Sequence, residues 1–290
     1  MESEVRFASA GLTLVGVLHE PKADGPRPAV IDLHGFGGSC SGAGHPELAR
    51  ALERAGYVVL RFDFRGCGKS EGLRGHVIGN EQVEDTQNAV TFLQQQGSVD
   101  PARIGVVGAS MGGTVAIHAT ALDPRIKVCA ASGSSGNGAR RFRYQYPSDD
   151  AWNAFLARLV DAQRHRNETG QHQMVPRYDI VHIPEHNRPG LASDSVMEFT
   201  AETAVSKMFF NSEAVAWLVA PRPLLVIHPR GDEVNPASEA DHLAAAAGSN
   251  CEKHIIGGKD HFGSGNPEVI AITIDWLARH MPPRPAGSAT

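Results

Sequence analysis

The stretch Arg103–Leu122, RIGVVGASMGGTVAIHATAL, constrains this chain more than any other. An apolar run of strand length meets a cluster of small residues around one hydroxyl, and an apolar run of helical length follows without a spacer. A strand that turns straight into a helix must reverse sharply. The residue at the apex is driven toward positive φ, where a side chain is strained. Its neighbours two positions away must lack bulk, or strand and helix would collide. Gly108 and Gly112 meet that need, and Gly113 eases the packing of the helix. The apex residue is Ser110. Its hydroxyl stands above the C-terminal edge of the strand, and the helix N-terminus aims at the same place, which favours developing negative charge.

The same alternation of strand and helix runs through most of the chain. Val5–Ala8 and Leu12–Leu18, with Gly11 between them, predict a hairpin. Ala29–Leu33 reads as a buried strand ending in a glycine-rich loop. HPELARALERAGY reads as a helix with Pro46 in its first turn and Gly56 at its end. YVVLRFDF, RIGVVGA, IKVCAAS, RPLLVIHP and CEKHIIGG read as strands. Glu81–Gln96, Met111–Leu122, Ala237–Ala247 and Pro267–Arg279 read as helices. Strands buried on both faces and separated by helices predict an α/β fold, a mostly parallel central sheet inside helical layers.

The pattern breaks over residues 136–211, which are rich in Arg, His and aromatic residues. Trp152, Phe155, Leu156, Leu159 and Val160 recur at helical spacing and predict an amphipathic helix. The expected organisation is a core of 1–135 and 212–283, a mainly helical cap over 136–211, and a disordered tail over 284–290.

Several function classes are excluded on simple grounds. A formal charge of −5 on 290 residues carries no basic excess for nucleic acid. No apolar run is long enough to span a membrane. The first residues lack a basic stretch followed by an apolar one, so the expected location is cytoplasmic. Cys40, Cys67, Cys129 and Cys251 show no metal or redox spacing and read as reduced thiols. His165, His172, His182 and His186 fit no single helical face, so no metal is expected. GCGKSEG has Asp63 where a phosphate loop needs its first glycine, and Cys40 spoils HGFGGS as a dinucleotide fingerprint. No cofactor is expected.

A serine hydroxyl attacks an acyl carbon only with a base beside it, and the base needs a carboxylate to orient it. LHGFGG after the first parallel strand, RFDFRGCGKSEG after the second, GASMGG, and late Asp and His residues in that order complete a pattern. On these motifs the chain resembles the α/β-hydrolase superfamily. Its first half is similar to cinnamoyl/feruloyl-type esterases and to acylaminoacyl-peptidase-like members. The resemblance implies a chain order of nucleophile, acid and histidine. Ser110 is then the nucleophile, and Asp232 in PRGDEVNP the acid, with Glu233 the neighbouring alternative. His261 in GGKDHFG follows the last strand and is the base. His228 and His254 lie within strands and read as structural, and Asp260 reads as loop support. One oxyanion donor is expected at the backbone N–H of Met111. The resemblance implies that the second is the N–H of Phe36, with His34 and Gly35 shaping that turn. In the family, Asp63, Arg65 and Gly66 hold the loop beside the active site.

The family also places a cap over the nucleophile at the position of 136–211. Arg143, Tyr144, Trp152 and Tyr178 are its candidate contacts for an aromatic or carboxylate-bearing substrate. The competing reading makes most of the cap arginines (140, 141, 143, 164, 166 and 177) a solvated face and the aromatics its packing. The expected function is a serine hydrolase of the carboxylic ester type acting on a small-molecule acyl substrate, with thioesters and amides open. A peptidase or acyltransferase on the same residues is the alternative, and a non-catalytic binding member of the fold is a third reading. A homodimer is left undecided by the sequence.

Overall fold

The computed structural model describes residues 1–22, 25–42, 44–259, 261 and 265–283. Asp260 and the expected tail at 284–290 lie outside the described residues. The chain begins with the antiparallel hairpin β1 (Glu2–Ser9) and β2 (Leu12–His19), turned through Ala10 and Gly11 at positive φ. There follow β3 (Arg27–Leu33), α1 (His45–Arg54), β4 (Val58–Phe62), α2 (Gly79–Gln94), β5 (Val99–Ala109), α3 (Met111–Leu122) and β6 (Ile126–Ser132). α4 (Gly138–Gln145), α5 (Asp149–Thr169), β7 (Met174–Pro176), α6 (Arg177–Ile180), β8 (Glu198–Thr200) and α7 (Ala201–Phe209) interrupt the alternation. α8 (Glu213–Ala216), β9 (Leu224–Pro229), α9 (Ser238–Ala247), β10 (Cys251–Ile256) and α10 (Pro267–His280) complete it.

The main sheet has eight strands in the order β1-β2-β4-β3-β5-β6-β9-β10. From β4 to β10 every pairing is parallel. Parallel strands covered by helices bury both faces, and alternate residues choose opposite sides. Val30, Val59 and Val107 point to the layer holding Leu48, Leu52, Trp276 and Leu277 of α1 and α10. Ile31, Leu60 and Val106 point to the opposite layer with Val83, Val90, Val115 and Ile117 of α2 and α3. The strand order reverses at β3, which has β4 on one side and β5 on the other. The loops after β3 and β5 therefore leave the sheet toward opposite layers and open a crevice between them, where ligands settle in open α/β sheets.

The interrupting segment is helical, as the sequence predicts, but it also carries the two-stranded ribbon β7–β8, with Val175 opposite Phe199. Strands of three residues carry too few positions to display a period of two. α5 is capped by the Ser148 hydroxyl and closed by Gly170 at φ 74. Its buried face is narrower than its apolar spacing implies. Phe155, Leu159 and Ala162 are buried, whereas Val160 is 59% exposed. The reason is that α5 is covered from one side only, where Phe155 stacks on Phe142 and Tyr146. These aromatics join the same apolar cluster as α2 and α3, so the segment packs onto the body of the protein without a break. Among the described residues no helix is long and apolar enough to cross a membrane.

Candidate active site

Ser110 joins β5 to α3 at φ 53 and ψ −120, a strained backbone for a residue with a side chain. The glycines around it explain how the turn closes. A Cβ on Gly108 would meet the Gly113 nitrogen at 2.7 Å, and one on Gly112 would meet the His34 carbonyl oxygen at 2.6 Å. Strand, helix and the loop after β3 thus touch backbone to backbone, and only the hydroxyl is left to project.

The hydroxyl meets a histidine that arrives from the far end of the sequence. His261 Nε2 lies 2.8 Å from Ser110 Oγ, and His261 Nδ1 lies 2.7 Å from Asp232 Oδ2. An ionised carboxylate only accepts, so the proton sits on Nδ1 and a neutral ring keeps Nε2 as the acceptor for the Ser110 hydroxyl. Asp232 is buried in the loop after β9. Its Oδ1 accepts from the backbone N–H groups of Val234 and Asn235 at 2.8 and 2.9 Å. Burial opposes its ionisation. Hydrogen bonding from His228, His261 and the Asn235 N–H outweighs that and holds the carboxyl below the usual carboxylate range. Glu233 points elsewhere, to His186 at 2.7 Å and Lys259 at 3.7 Å.

His228 is fully buried on β9 and donates from Nε2 to the Asn235 carbonyl at 3.0 Å. The same nitrogen stands 3.5 Å from Asp232 Oδ2, so the carboxylate sits between two imidazoles. Asn235 in turn donates to the Gly133 carbonyl at 2.7 Å and accepts from Arg141 Nε at 2.7 Å. His254 is tied to Glu252 at 2.7 Å on the edge strand β10.

The loop after β3 faces the serine. A Cβ on Gly35 would stand 3.5 Å from Ser110 Cβ. His34 donates from Nδ1 to the Gly35 carbonyl at 2.8 Å and accepts the Phe64 N–H on Nε2 at 3.1 Å. Burial pushes its pKa down, as suits a neutral ring bracing two loops. Asp63 fixes the neighbouring turn by accepting from the N–H groups of Cys40 and Lys69 at 2.6 and 2.8 Å. Arg65 is bound to Asp85 and Glu84, and Gly66 takes φ 70. Among the described residues, the backbone N–H groups of Phe36 and Met111 enter no hydrogen bond.

A cavity of about 70 Å³ opens over Ser110 and His261. The sheet side supplies His34, Phe36, Ser39 and His45; the interrupting segment supplies Arg177, Val181, Ile183, Leu191 and Ser195. Arg143, Tyr144, Trp152 and Tyr178 are not among its lining residues. Arg143 pairs with Asp149 and covers the Trp152 ring, Tyr144 is 65% exposed, and Tyr178 lies under Arg188. Of the six arginines read from the sequence, two are deeply buried: Arg141 is 5% and Arg177 4% exposed. Arg177 opens α6 and reaches back to the β3 loop. It donates to the carbonyls of Phe36 and Val196 at 2.6 Å each. The apolar run DIVHIP just after Arg177 was the available signal for this wall.

Outside the cavity lining, His76, His172 and Glu202 bring ligand-type atoms within 4.8 Å of one another and have the chemistry to hold a metal. His172 Nδ1 lies 3.1 Å from Glu202 Oε2, and His76 is hydrogen-bonded to Thr200 at 2.9 Å. Their positions on separate elements explain why sequence spacing gives no sign of the cluster.

The sequence matches the family Hydrolase_4, described as serine aminopeptidase, S33, over residues 24–262. It is 27% identical over 300 residues to the polyketide transferase grgF of Penicillium sp., covering 96% of this chain and 97% of that one. It is 41% identical over 128 residues to the thiohydrolase aneE of Aspergillus aculeatus, covering 43% of this chain and 39% of that one. Among solved structures, the α/β hydrolase GrgF from Penicillium sp. sh18 is similar with a TM-score of 0.81 at 23% identity, covering 97% of this chain and 99% of that one. A central, mostly parallel sheet inside helical layers, together with a family match across most of the sequence, places this chain in the serine aminopeptidase S33 family of the α/β hydrolases.

Proposed function

We propose that the protein is a serine hydrolase that cleaves a small-molecule carboxylic ester or thioester through an acyl-enzyme on Ser110. The observation that carries this reading is the chain of two short hydrogen bonds from Ser110 through His261 to Asp232, with Ser110 held at φ 53. Ser110 Oγ attacks the acyl carbon while His261 Nε2 takes its proton, and Asp232 stabilises the imidazolium that forms. The carbonyl oxygen becomes an oxyanion within reach of the Phe36 and Met111 N–H groups, assisted by the N-terminus of α3. Collapse breaks the bond to the leaving group, which departs with the proton from Nε2–H. A water, deprotonated by the same nitrogen, then attacks the acyl-enzyme, and the acid leaves as Ser110 recovers its proton. These steps need no metal or cofactor.

The thioester option is favoured by the likeness to a thiohydrolase in the half of the chain that aligns with it. Acyl transfer to an acceptor other than water is the second reading, favoured by the likeness to a polyketide transferase along almost the full length. The test is steady-state turnover of p-nitrophenyl esters and of short acyl thioesters, each with and without an added alcohol or amine acceptor. Release of free acid that disappears in Ser110→Ala supports hydrolysis, and acceptor-dependent product supports transfer. Turnover that survives in Ser110→Ala rejects both.

A further inference from the structure

The donor atoms of His76, His172 and Glu202 meet where the interrupting segment touches the core. His76 belongs to the loop between β4 and α2, His172 to the loop after α5, and Glu202 to the first turn of α7. Their ligand-type atoms stand within 4.8 Å of one another. His172 Nδ1 and Glu202 Oε2 are closed off from solvent, and neither has a hydrogen-bond partner, although they are 3.1 Å apart. The contact therefore lacks the alignment of a hydrogen bond. It matches the edge of a coordination shell: with metal–ligand bonds of about 2.0–2.2 Å, two donors on one zinc ion stand about 3.0–3.5 Å apart.

A closed set of hydrogen bonds fixes the third donor. The Thr203 hydroxyl donates to the Gly75 carbonyl at 3.1 Å and accepts the Val77 N–H at 2.8 Å. Its remaining lone pair accepts the Thr200 hydroxyl, 3.1 Å away. Thr200 has then used its one proton, so it accepts from His76 Nδ1–H at 2.9 Å. A neutral His76 ring therefore keeps its lone pair on Nε2, and the ring stands 5.1 Å from that of His172. A hydrogen bond at the other ring nitrogen is what orients a metal-ligating histidine. The second oxygen of Glu202, Oε1, faces Arg166 Nε at 3.7 Å, which leaves Oε2 for an ion. The backbone is arranged in advance as well. The Gly75 carbonyl accepts the Thr200 N–H at 3.0 Å, and the Gln173 carbonyl accepts the Ala201 N–H at 2.9 Å. The chain beside all three donors is thus already tied together.

We propose that His76, His172 and Glu202 bind a divalent cation of the zinc type, with water as its fourth ligand, and that the ion clamps the interrupting segment onto the core. Two imidazoles and one carboxylate suit zinc and its first-row neighbours, whereas magnesium and calcium call for oxygen sets. All three residues are partly exposed, which gives the ion an entry path and its water an open face. The clamp adjoins Phe199, which stacks on Phe36 of the β3 loop at 4.3 Å. Occupancy stiffens the roof without contact with Ser110, so the inference is independent of the chemistry proposed there.

The experiment titrates zinc chloride into chelator-stripped protein, by calorimetry and by thermal unfolding. The expected result is one ion per chain and a Tm raised by about 5 °C or more at a hundredfold excess over Kd. His172→Gln and Glu202→Gln should each weaken binding at least tenfold and remove the rise in Tm. His261→Ala should keep both, which excludes the imidazole beside Ser110 as the binding group. Should the variants fail to fold, diethyl pyrocarbonate labelling of the wild type decides. Zinc is expected to protect His76 and His172 while His186, 65% exposed, is labelled regardless. Absence of zinc binding by the wild type overturns the proposal, as does binding that either glutamine variant retains. Loss of binding in His261→Ala, an equal Tm rise with magnesium chloride, or labelling of His76 and His172 that zinc leaves unchanged also overturns it.

Discussion

Arg177 donates a 2.6 Å hydrogen bond to the carbonyl of Phe36. The loop after β3, which lines the cavity with Ser110, is therefore held in place by the segment that roofs the cavity. Phe199 of β8 reinforces the hold by stacking on the Phe36 ring at 4.3 Å. The roof and the loop form one unit, and disturbing the roof should be read out at the chemical step.

Arg177→Met should lower kcat more than it raises KM. Each buried carbonyl left without its donor costs about 1–3 kcal/mol, and misplacing one oxyanion donor costs about a hundredfold in rate. Arg177→Lys should fall between the two, because an ammonium cannot span the carbonyls of Phe36 and Val196 as a planar fork does. Steady-state kinetics on a neutral ester separate the two constants. A change confined to KM would make Arg177 a substrate contact only.

Ser110 carries strain that a glycine would not. Ser110→Gly should unfold at higher denaturant than Ser110→Ala, with a difference of about 1 kcal/mol, although both lose turnover. Urea titration of the two variants measures this. Equal midpoints would mean that the backbone at φ 53 stores no energy.

Gly112→Ala should be poorly tolerated for a different reason. Its Cβ would press on the backbone carbonyl of Leu33 and stand 2.6 Å from that of His34. Neither can swing aside as a side chain would. A loss of about 3 kcal/mol is expected from a clash of this kind, visible as a lower Tm, together with reduced activity because the β3 loop must shift. An unchanged Tm would contradict the backbone contact between α3 and that loop.

His118 gives the fold a pH dependence separate from the site. It is stacked on Phe210 at 3.9 Å within the core side of α3. Burial, partly opposed by a hydrogen bond involving the Asn211 backbone, lowers its pKa from 6.5 to about 4. The folded state therefore refuses a proton that the unfolded state accepts. The stability contributed by the neutral ring is complete above pH 6.5 and is lost progressively as pH falls toward 4, amounting to about 3 kcal/mol over that range. Denaturant unfolding at pH 7 and pH 4.5 should show a smaller drop in His118→Phe than in the wild type. Parallel drops would place the acid sensitivity elsewhere.

Much of this was legible in the sequence because the relevant signals are local. The turn at Ser110 announces itself through Gly108 and Gly112, and α3 begins and ends at Met111 and Leu122 as its spacing predicts. Asp232 and His261 were expected from the family's chain order and their places after successive strands, and the structure sets His261 between Ser110 and Asp232. The roof was harder to read. Its cavity wall comes from the short helix α6 and the irregular chain after it, through Val181, Ile183, Leu191 and Ser195, which are too brief to show a period. Of the aromatic and basic residues conspicuous in composition, Trp152 and Tyr178 pack against the apolar cluster under Arg143 and Arg188, and Tyr144 faces solvent. Arg177 gains its importance from its contact with Phe36, more than a hundred positions away. Such contacts leave no mark in spacing.

The most direct test of the central claim is mass spectrometry of the protein after brief exposure to a fluorophosphonate at neutral pH. The account predicts a single adduct on the peptide containing Ser110, absent from Ser110→Ala and greatly slowed in His261→Ala. An unmodified wild type, or an adduct at any other residue with Ser110 untouched, would contradict it.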